Sequence, residues 1–364
     1  MKIICARNVH SALPQAAQLL EEYGYERNSR NGEVILAPWP VITEYDHPWE
    51  RVIFWEERDA NPFFHLYESL WMLAGRNDIA PLVRYAKNME KFTDDGVTQP
   101  GAYGYRWRHY QRDNLSKFVG AVVPDTGIDQ LSIIARRLRE NHDDRRCVLQ
   151  MWNPVWDLDS TSVDVPCNLT ATFQVSQDAE LELTVFCRSN DIIWGAYGAN
   201  AVHFSMMQEY MAHAIGIPMG VYRQISVNWH AYKTNFDSIR ELNIDAPNPY
   251  HMEEVSYLPL CNHTKEPGVD NHLAIIDMDL KRLLHHADNA FNIKPVNDLI
   301  EPFFIMAGQV LLAHQMFKSM SPPDKYDLPI AFLTDNEYAT VDWVVAAREW
   351  LQRRKDKYEG KLEG

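Results

Sequence analysis

Apolar residues recur with two periods along the chain, and the change of period marks out its elements. From Asn61-Pro62 onward, Phe63, Phe64, Tyr67, Leu70, Trp71 and Ala74 form the stripe of a helix that Pro62 opens and Gly75 closes. Further helices are expected over residues 12–23, 128–141 and about 200–215. Period-two alternation appears in Leu169, Ala171, Phe173 and Val175, and again in Leu181, Leu183, Val185 and Cys187. With the nearly all-apolar run Cys147–Trp152, these segments predict an antiparallel sheet with one buried face. Glu33–Leu36, Arg51–Trp55 and Val221–Trp229 read as further strands, and Gly195 and Gly198 as a glycine-rich loop. After about residue 268 the pattern is helical, over 272–286, 299–318 and 337–355. The expected class is α+β with a helical C-terminal extension.

Composition narrows what such a chain can be. With 364 residues, 46% hydrophobic and 23% charged, it is a packed globular chain, which excludes disorder, a collagen-like repeat and a disulfide miniprotein. A net charge of −15 argues against duplex nucleic acid or an anionic membrane as the main partner, so any phosphate must be met by a local cluster of cations. The five cysteines, Cys5, Cys147, Cys167, Cys187 and Cys261, are scattered and form no C-x-x-C pair. A reduced, cytoplasmic protein without a metal site is expected. Ile3 to Ala6 is too short for a signal peptide and Pro302 to Ala313 too short for a bilayer span, so neither export nor a membrane is expected.

Several residues could carry chemistry. Cys167 follows Pro166 at the edge of a strand, where a ligand can reach a thiol, although a lone cysteine also serves as a small buried hydrophobe. Arg188 lies on the strand face opposite Cys187 and leads into Ser189-Asn190-Asp191; a guanidinium beside a hydroxyl suits a phosphate, and equally a surface ion pair. Arg145-Arg146 reads either as more phosphate-binding charge or as a solvated pair. Glu68, at the edge of its helix's apolar stripe, is a candidate for proton transfer or an exposed helix glutamate. His230 and Tyr232, two apart on an extended segment, share a face and can reach one sugar hydroxyl.

The blocks Arg30-Asn31-Gly32, Glu68 to Leu73, Gly101 to Arg108, Arg145-Arg146 with Trp152-Asn153-Pro154, Pro166-Cys167, Arg188 to Asp191, Gly195, Asn200 and His230 to Tyr232 follow one another over roughly residues 27–240. In that order they resemble thymidylate synthase and its relatives, the pyrimidine-nucleotide hydroxymethylases. The resemblance implies a thymidylate synthase-like fold; with the helical pattern after residue 268, a catalytic domain over 1–267 is expected, with a helical C-terminal extension, 268–364, packed on the same domain. It also implies a homodimer built on a mixed or antiparallel sheet. Cys167 is implied as the nucleophile that adds to C6 of a pyrimidine, with Glu68 and Tyr103 handling protons. Arg30, Arg188 and Ser189 would bind the nucleotide phosphate, joined by Arg145 and Arg146 of the partner subunit, and this positive charge would help hold Cys167 as thiolate. Asn200 would read the base, His230 and Tyr232 would bind the ribose, and Asp191 and Trp194 would meet 5,10-methylenetetrahydrofolate, the cosubstrate. No metal, nucleic acid or membrane is implied, and a viral protein of this kind would act in the host cytoplasm.

An amide at position 200 offers a donor and an acceptor to N3–H and O4 of uracil, whereas an aspartate suits cytosine, so dUMP is expected over dCMP. The chain departs from the family at Asp164, where an apolar folate contact is usual, at Asn168, where histidine is usual, and at Gly198-Ala199, where Pro-Phe is usual. A helical segment ending in Lys361 to Gly364 is also expected in place of the short apolar tail that shuts out water. An exocyclic methylene at C5 takes up either hydride, giving dTMP and dihydrofolate, or water, giving the 5-hydroxymethyl nucleotide. A wetter pocket favours water. Hydroxymethylation of dUMP is the expected activity, with dTMP synthesis and dCMP hydroxymethylation as alternatives. The rival classes are a cysteine hydrolase, which gives the arginines no role, and a noncatalytic nucleotide-binding protein.

Overall fold

The structure, a computed structural model, describes residues 1–111, 127–252, 255–261, 272–290 and 298–361. Strands are β1 (Lys2–Ala6), β2 (Tyr25–Ser29), β3 (Gly32–Leu36), β4 (Val41–Tyr45), β5 (Val148–Gln150), β6 (Asn168–Val175), β7 (Leu181–Asp191) and β8 (Met219–Tyr232). The first helices are α1 (Val9–Tyr23), α2 (Pro62–Leu73), α3 (Ala80–Tyr85), α4 (Tyr103–Arg108), α5 (Gln130–Glu140) and α6 (Pro154–Asp157). They are followed by α7 (Asn200–Ile215), α8 (Lys233–Phe236), α9 (His272–Asp288), α10 (Pro302–Ser319), α11 (Asp324–Thr334) and α12 (Asp342–Glu359). Two compact units result: Met1–Arg51 with Trp71–Ile244, and Val52–Leu70 with Asp245–Gly364.

The first unit is organised by a mixed sheet of order β1-β4-β8-β7-β6-β5, to which the β2–β3 hairpin adds through β3 and β8. The three runs read as antiparallel are β5, β6 and β7, and they pair that way. The parallel pairs β7·β8 and β1·β4 make the whole sheet mixed. Alternation on β7 buries Leu181, Leu183, Val185 and Cys187 and leaves Phe186 partly exposed, so one face of the sheet is closed. Helix α7 is buried on nearly every side, including its polar residues His203, Ser205, Gln208 and Glu209, and Gly216 ends it in the left-handed conformation at φ 88°.

Two local expectations are corrected here. Residues 51–55 form no strand. Arg51 is instead buried in an ion pair with Glu209 (Nη2–Oε2 2.6 Å), a partner no sheet edge would supply. The segment expected as a glycine-rich loop is a widened helical turn over Ile192–Ala199, kinked at Tyr197 and Gly198, in which the Asn200 N–H reaches back to the Gly195 carbonyl.

In the second unit, Phe63 packs against the rings of His314 (centroids 4.9 Å apart) and Trp350 (5.4 Å, edge-on). Asp279, fully buried, accepts the N–H groups of Ile300 (2.8 Å) and Glu301 (2.7 Å). The guanidinium of Arg354 brackets the carboxylate of Asp59 with two 2.6 Å bonds. The helical segments expected after residue 268 correspond to α9, α10 and α12. Helix α11 was not expected, because Pro329 interrupts its apolar pattern. Residues 268–271, 291–297 and 362–364 of the expected extension lie outside the described residues.

Candidate active site

Cys167 is half-buried between Pro166 and the first residue of β6, and its backbone is held on two sides. Its N–H donates to the Tyr103 hydroxyl (3.1 Å), which also receives the N–H of Asn168 (3.4 Å). Its carbonyl accepts the N–H of Arg188 (2.9 Å) from the neighbouring strand β7. The Arg188 side chain then reaches the segment just before the cysteine. Nε donates to the Pro166 carbonyl (2.8 Å) and Nη2 to that of Val165 (3.1 Å), while the guanidinium lies 5.6 Å from the centre of the Trp152 ring. A rigid planar fork suits this double contact, and a lysine cannot reproduce it.

Charges compete at the thiol. Burial pushes the Cys167 thiol above its ordinary range, Arg188 and Arg30 pull it down, and Asp164 pushes it up, with burial prevailing. In a single chain, therefore, the two arginines do not suffice to favour the thiolate. Burial, with the thiols of Cys167 and Cys187, holds the Tyr103 phenol well above its usual value, so it stays neutral and keeps its proton to donate.

Asp164, three residues before Cys167, is raised to about 6 by burial, against the opposing bond from the Gly101 N–H (2.8 Å). It also lines a cavity of about 260 Å³ with Pro100, Tyr105, Arg106, Trp156 and Asp157. Because this carboxyl titrates higher in the folded state than its ordinary 3.8, the folded protein keeps a proton that the unfolded chain has released. Its contribution to stability is full below about pH 4 and is lost as pH rises through about 6. Asp164→Asn is expected to flatten that part of the curve of melting temperature against pH; an unchanged slope would contradict the buried carboxyl.

The other expected residues fall into three groups. Asn200, at the start of α7, donates to the Asn190 side chain (3.0 Å) and accepts from that of Asn168 (3.0 Å). Along the paired ends of β7 and β8, Ser189 stands opposite Asn228 and Asp191 opposite His230, and the His230 and Tyr232 rings meet edge-on with centroids 5.5 Å apart. The Asp191 carboxylate accepts the N–H groups of Ile193 (2.9 Å), Trp194 (2.6 Å) and Tyr232 (3.2 Å), which caps the widened turn, and burial raises its pKa. Trp194 is 54% exposed.

Arg30 occupies the exposed β2–β3 turn, near enough to act on Cys167. Arg145 and Arg146 are exposed on the turn before β5, where Arg146 pairs with Asp144 (Nε–Oδ1 3.0 Å); neither is among the groups acting on Cys167. Glu68, on α2, belongs to the second unit and is 6% exposed. Asn168 was expected only as a departure from the family and Asn190 only as part of its block, and Gln224 was given no role. Their only signal is a polar residue at a position where Gln224 on β8 is buried.

Among the described residues, no group of three His, Cys, Asp or Glu side chains could hold a metal ion, and no helix is long and apolar enough to cross a membrane.

With the cysteine, its arginine clamp and the buried amides in view, comparison with known proteins fixes the class. A thymidylate synthase family model matches residues 17–282, and the chain belongs to that family of folate-dependent one-carbon transferases. Within it, the deoxyuridylate hydroxymethyltransferase of Pseudomonas phage M6 is 42% identical over 99% of this chain and 97% of that protein. The deoxyuridylate hydroxymethyltransferase of Bacillus phage SP01 is 38% identical over 54% of this chain and 50% of that protein. The thymidylate synthase of human herpesvirus 8 type P is 30% identical over 52% and 58%, respectively.

Proposed function

We propose that the protein transfers a one-carbon unit from 5,10-methylenetetrahydrofolate to C5 of dUMP and hydrates the resulting methylene, giving 5-hydroxymethyl-dUMP. The observation that carries this reading is the end-to-end similarity to a deoxyuridylate hydroxymethyltransferase, which includes the helices after residue 268.

In this reading Cys167 Sγ adds to C6 and its electron pair moves C5 toward a carbanion, which the C4 carbonyl shares. Methylenetetrahydrofolate, when bound, supplies an electrophilic CH2 group. C5 bonds to that carbon and loses its proton to water held by the Tyr103 hydroxyl, and the bond between the carbon and the folate nitrogen then breaks, so that protonated tetrahydrofolate leaves and an exocyclic methylene remains. Water adds to the methylene left at C5, its proton goes to a base, and cleavage of the S–C6 bond restores both the ring and the thiolate. Arg30, Arg188 and Ser189 hold the phosphate, and His230 and Tyr232 the ribose.

Arg145 and Arg146 act from the partner subunit of a homodimer, and their charge offsets the burial that raises the Cys167 thiol in a single chain. The donors present fit a folate. Trp194 is 54% exposed, and the Asp191 carboxylate keeps about one acceptor position after receiving its three backbone bonds. A modified pyrimidine nucleotide suits a virus that alters its DNA, with the enzyme working in the host cytoplasm.

The test is the product formed from dUMP and methylenetetrahydrofolate, analysed by mass and by the oxidation state of the folate. The expected result is 5-hydroxymethyl-dUMP with tetrahydrofolate. Stoichiometric dTMP and dihydrofolate would overturn the hydration step, and a strong preference for dCMP would overturn the substrate.

A further inference from the structure

Ala196 is the anchor of a chain of side-chain amides that leads to Asn200. In the widened turn the Asn200 N–H closes on Gly195, and the Ala196 carbonyl turns instead to side chains, accepting Gln224 Nε2 (3.1 Å) and Tyr45 Oη (3.2 Å). A carbonyl can only accept, so the NH2 end of Gln224 must face it and Oε1 must point the other way. Oε1 accepts from Asn190 Nδ2 (3.1 Å), which also donates to Ser226 Oγ (3.0 Å). Asn190 Oδ1 then accepts from Asn200 Nδ2 (3.0 Å), and Asn200 Oδ1 accepts from Asn168 Nδ2 (3.0 Å). Every link runs from donor to acceptor, and one end of the chain sets the direction of all of it.

All five side chains are buried, so none can exchange a lost partner cheaply for bulk water. Rotating the Asn200 amide by half a turn would set NH2 against NH2 at Asn168 and oxygen against oxygen at Asn190. Gly195 makes room for the central link: a Cβ there would overlap Asn190 Oδ1 and come within 3.3 Å of Asn200 Nδ2. Two contacts leave Asn200 with one N–H and one oxygen lone pair, in a fixed order. That order complements a ring edge carrying a carbonyl beside an N–H, as in uracil. It opposes an edge carrying an amino group beside a bare ring nitrogen, as in cytosine.

We infer that Asn168, Asn190 and Gln224 are positioning residues that set nucleotide specificity, because their amide chain, anchored on the Ala196 carbonyl, holds Asn200 in the one orientation that reads uracil. The inference deepens the dUMP reading and rests on it. A site whose buried polar groups are mispaired by the wrong ligand rejects it by orders of magnitude, so freeing Asn200 to rotate removes discrimination more than it removes binding.

The experiment is calorimetric titration of the full-length protein with dUMP and with dCMP, without folate, alongside kcat/KM for each nucleotide with folate. Asn190→Leu removes the acceptor facing Asn200, and the dUMP-to-dCMP affinity ratio is expected to fall about tenfold or more. Asn190→Asp keeps that acceptor and, while its carboxyl is protonated, a donor for Gln224 Oε1, so at acidic pH it is expected to hold the ratio within about threefold of wild type, a rescue that a merely structural role would not give. Thermal melts report folding. Should neither variant fold, Asn168→Ala at the far end of the chain is expected to lower the ratio by itself.

Folded Asn190→Leu and Asn168→Ala proteins with the wild-type ratio would overturn the inference, as would a wild-type protein that binds both nucleotides equally. A wild type that binds dUMP selectively but makes no hydroxymethyl product would sink the proposed reaction and leave the positioning role standing.

Discussion

Cys167→Ser is expected to bind dUMP nearly as well as the wild type and to lose turnover by roughly 10³-fold or more, in line with removal of other catalytic nucleophiles. The binding contacts proposed for the phosphate and base lie on other side chains, and the backbone bonds that hold position 167, to Tyr103 and Arg188, do not involve Sγ. A serine hydroxyl ionises far less readily than a thiol and has no base assigned to activate it, so the C6 addition should stop. Release of tritium from C5-labelled dUMP measures the step directly. Retained release in the serine variant would remove Cys167 from the mechanism.

Arg188→Lys is expected to be nearly as damaging even though it preserves the charge. Lysine cannot span the carbonyls of Val165 and Pro166 as the guanidinium does, so the segment that presents Cys167 loses two charge-assisted bonds, each contributing ~1.5–3 kcal/mol. A fall in kcat/KM of roughly 10²-fold or more is expected from those bonds, shared between kcat and KM because the residue that braces the nucleophile is also the one proposed to meet the phosphate. Arg188→Ala removes the charge as well. Since Arg188 is the larger influence pulling the thiol down, the pH at which Cys167 reacts with iodoacetamide should move up in the alanine variant and less in the lysine variant. A lysine variant with wild-type kcat/KM would show that the clamp is dispensable.

Much of the site was legible because its residues come in short blocks tied to strong local patterns. Cys167 and Arg188 lie far apart in sequence, yet the alternation of β6 and β7 announced two neighbouring strands, and antiparallel pairing brings Asn168 opposite Cys187. The end of α7 was legible because Gly216 closes it, taking the left-handed conformation that favours glycine. Strand β2 was not, because Tyr25-Glu-Arg-Asn-Ser is exposed throughout and shows no alternation; pairing with β3 alone makes it a strand. The widened turn at Ile192–Ala199 was missed because Gly195 and Gly198 resemble loop punctuation, whereas Gly195 serves to admit the Asn190 side chain. The amide chain was missed for a related reason: asparagine and glutamine have no spacing rule that marks them as connected. The pull of Arg188 and Arg30 on the thiol was expected, but its defeat by burial depends on packing that composition does not encode.

The central claim is that Cys167 forms a covalent bond to C6 of dUMP while C5 receives the one-carbon unit. It is tested most directly with 5-fluoro-dUMP, whose C5 fluorine cannot leave as a proton does, so the sequence of bonds halts with the nucleotide still attached to sulfur. After incubation with methylenetetrahydrofolate and proteolysis, mass spectrometry should find the peptide containing Cys167 carrying both nucleotide and folate. An unmodified Cys167 peptide, or an adduct on any other residue, would contradict the account.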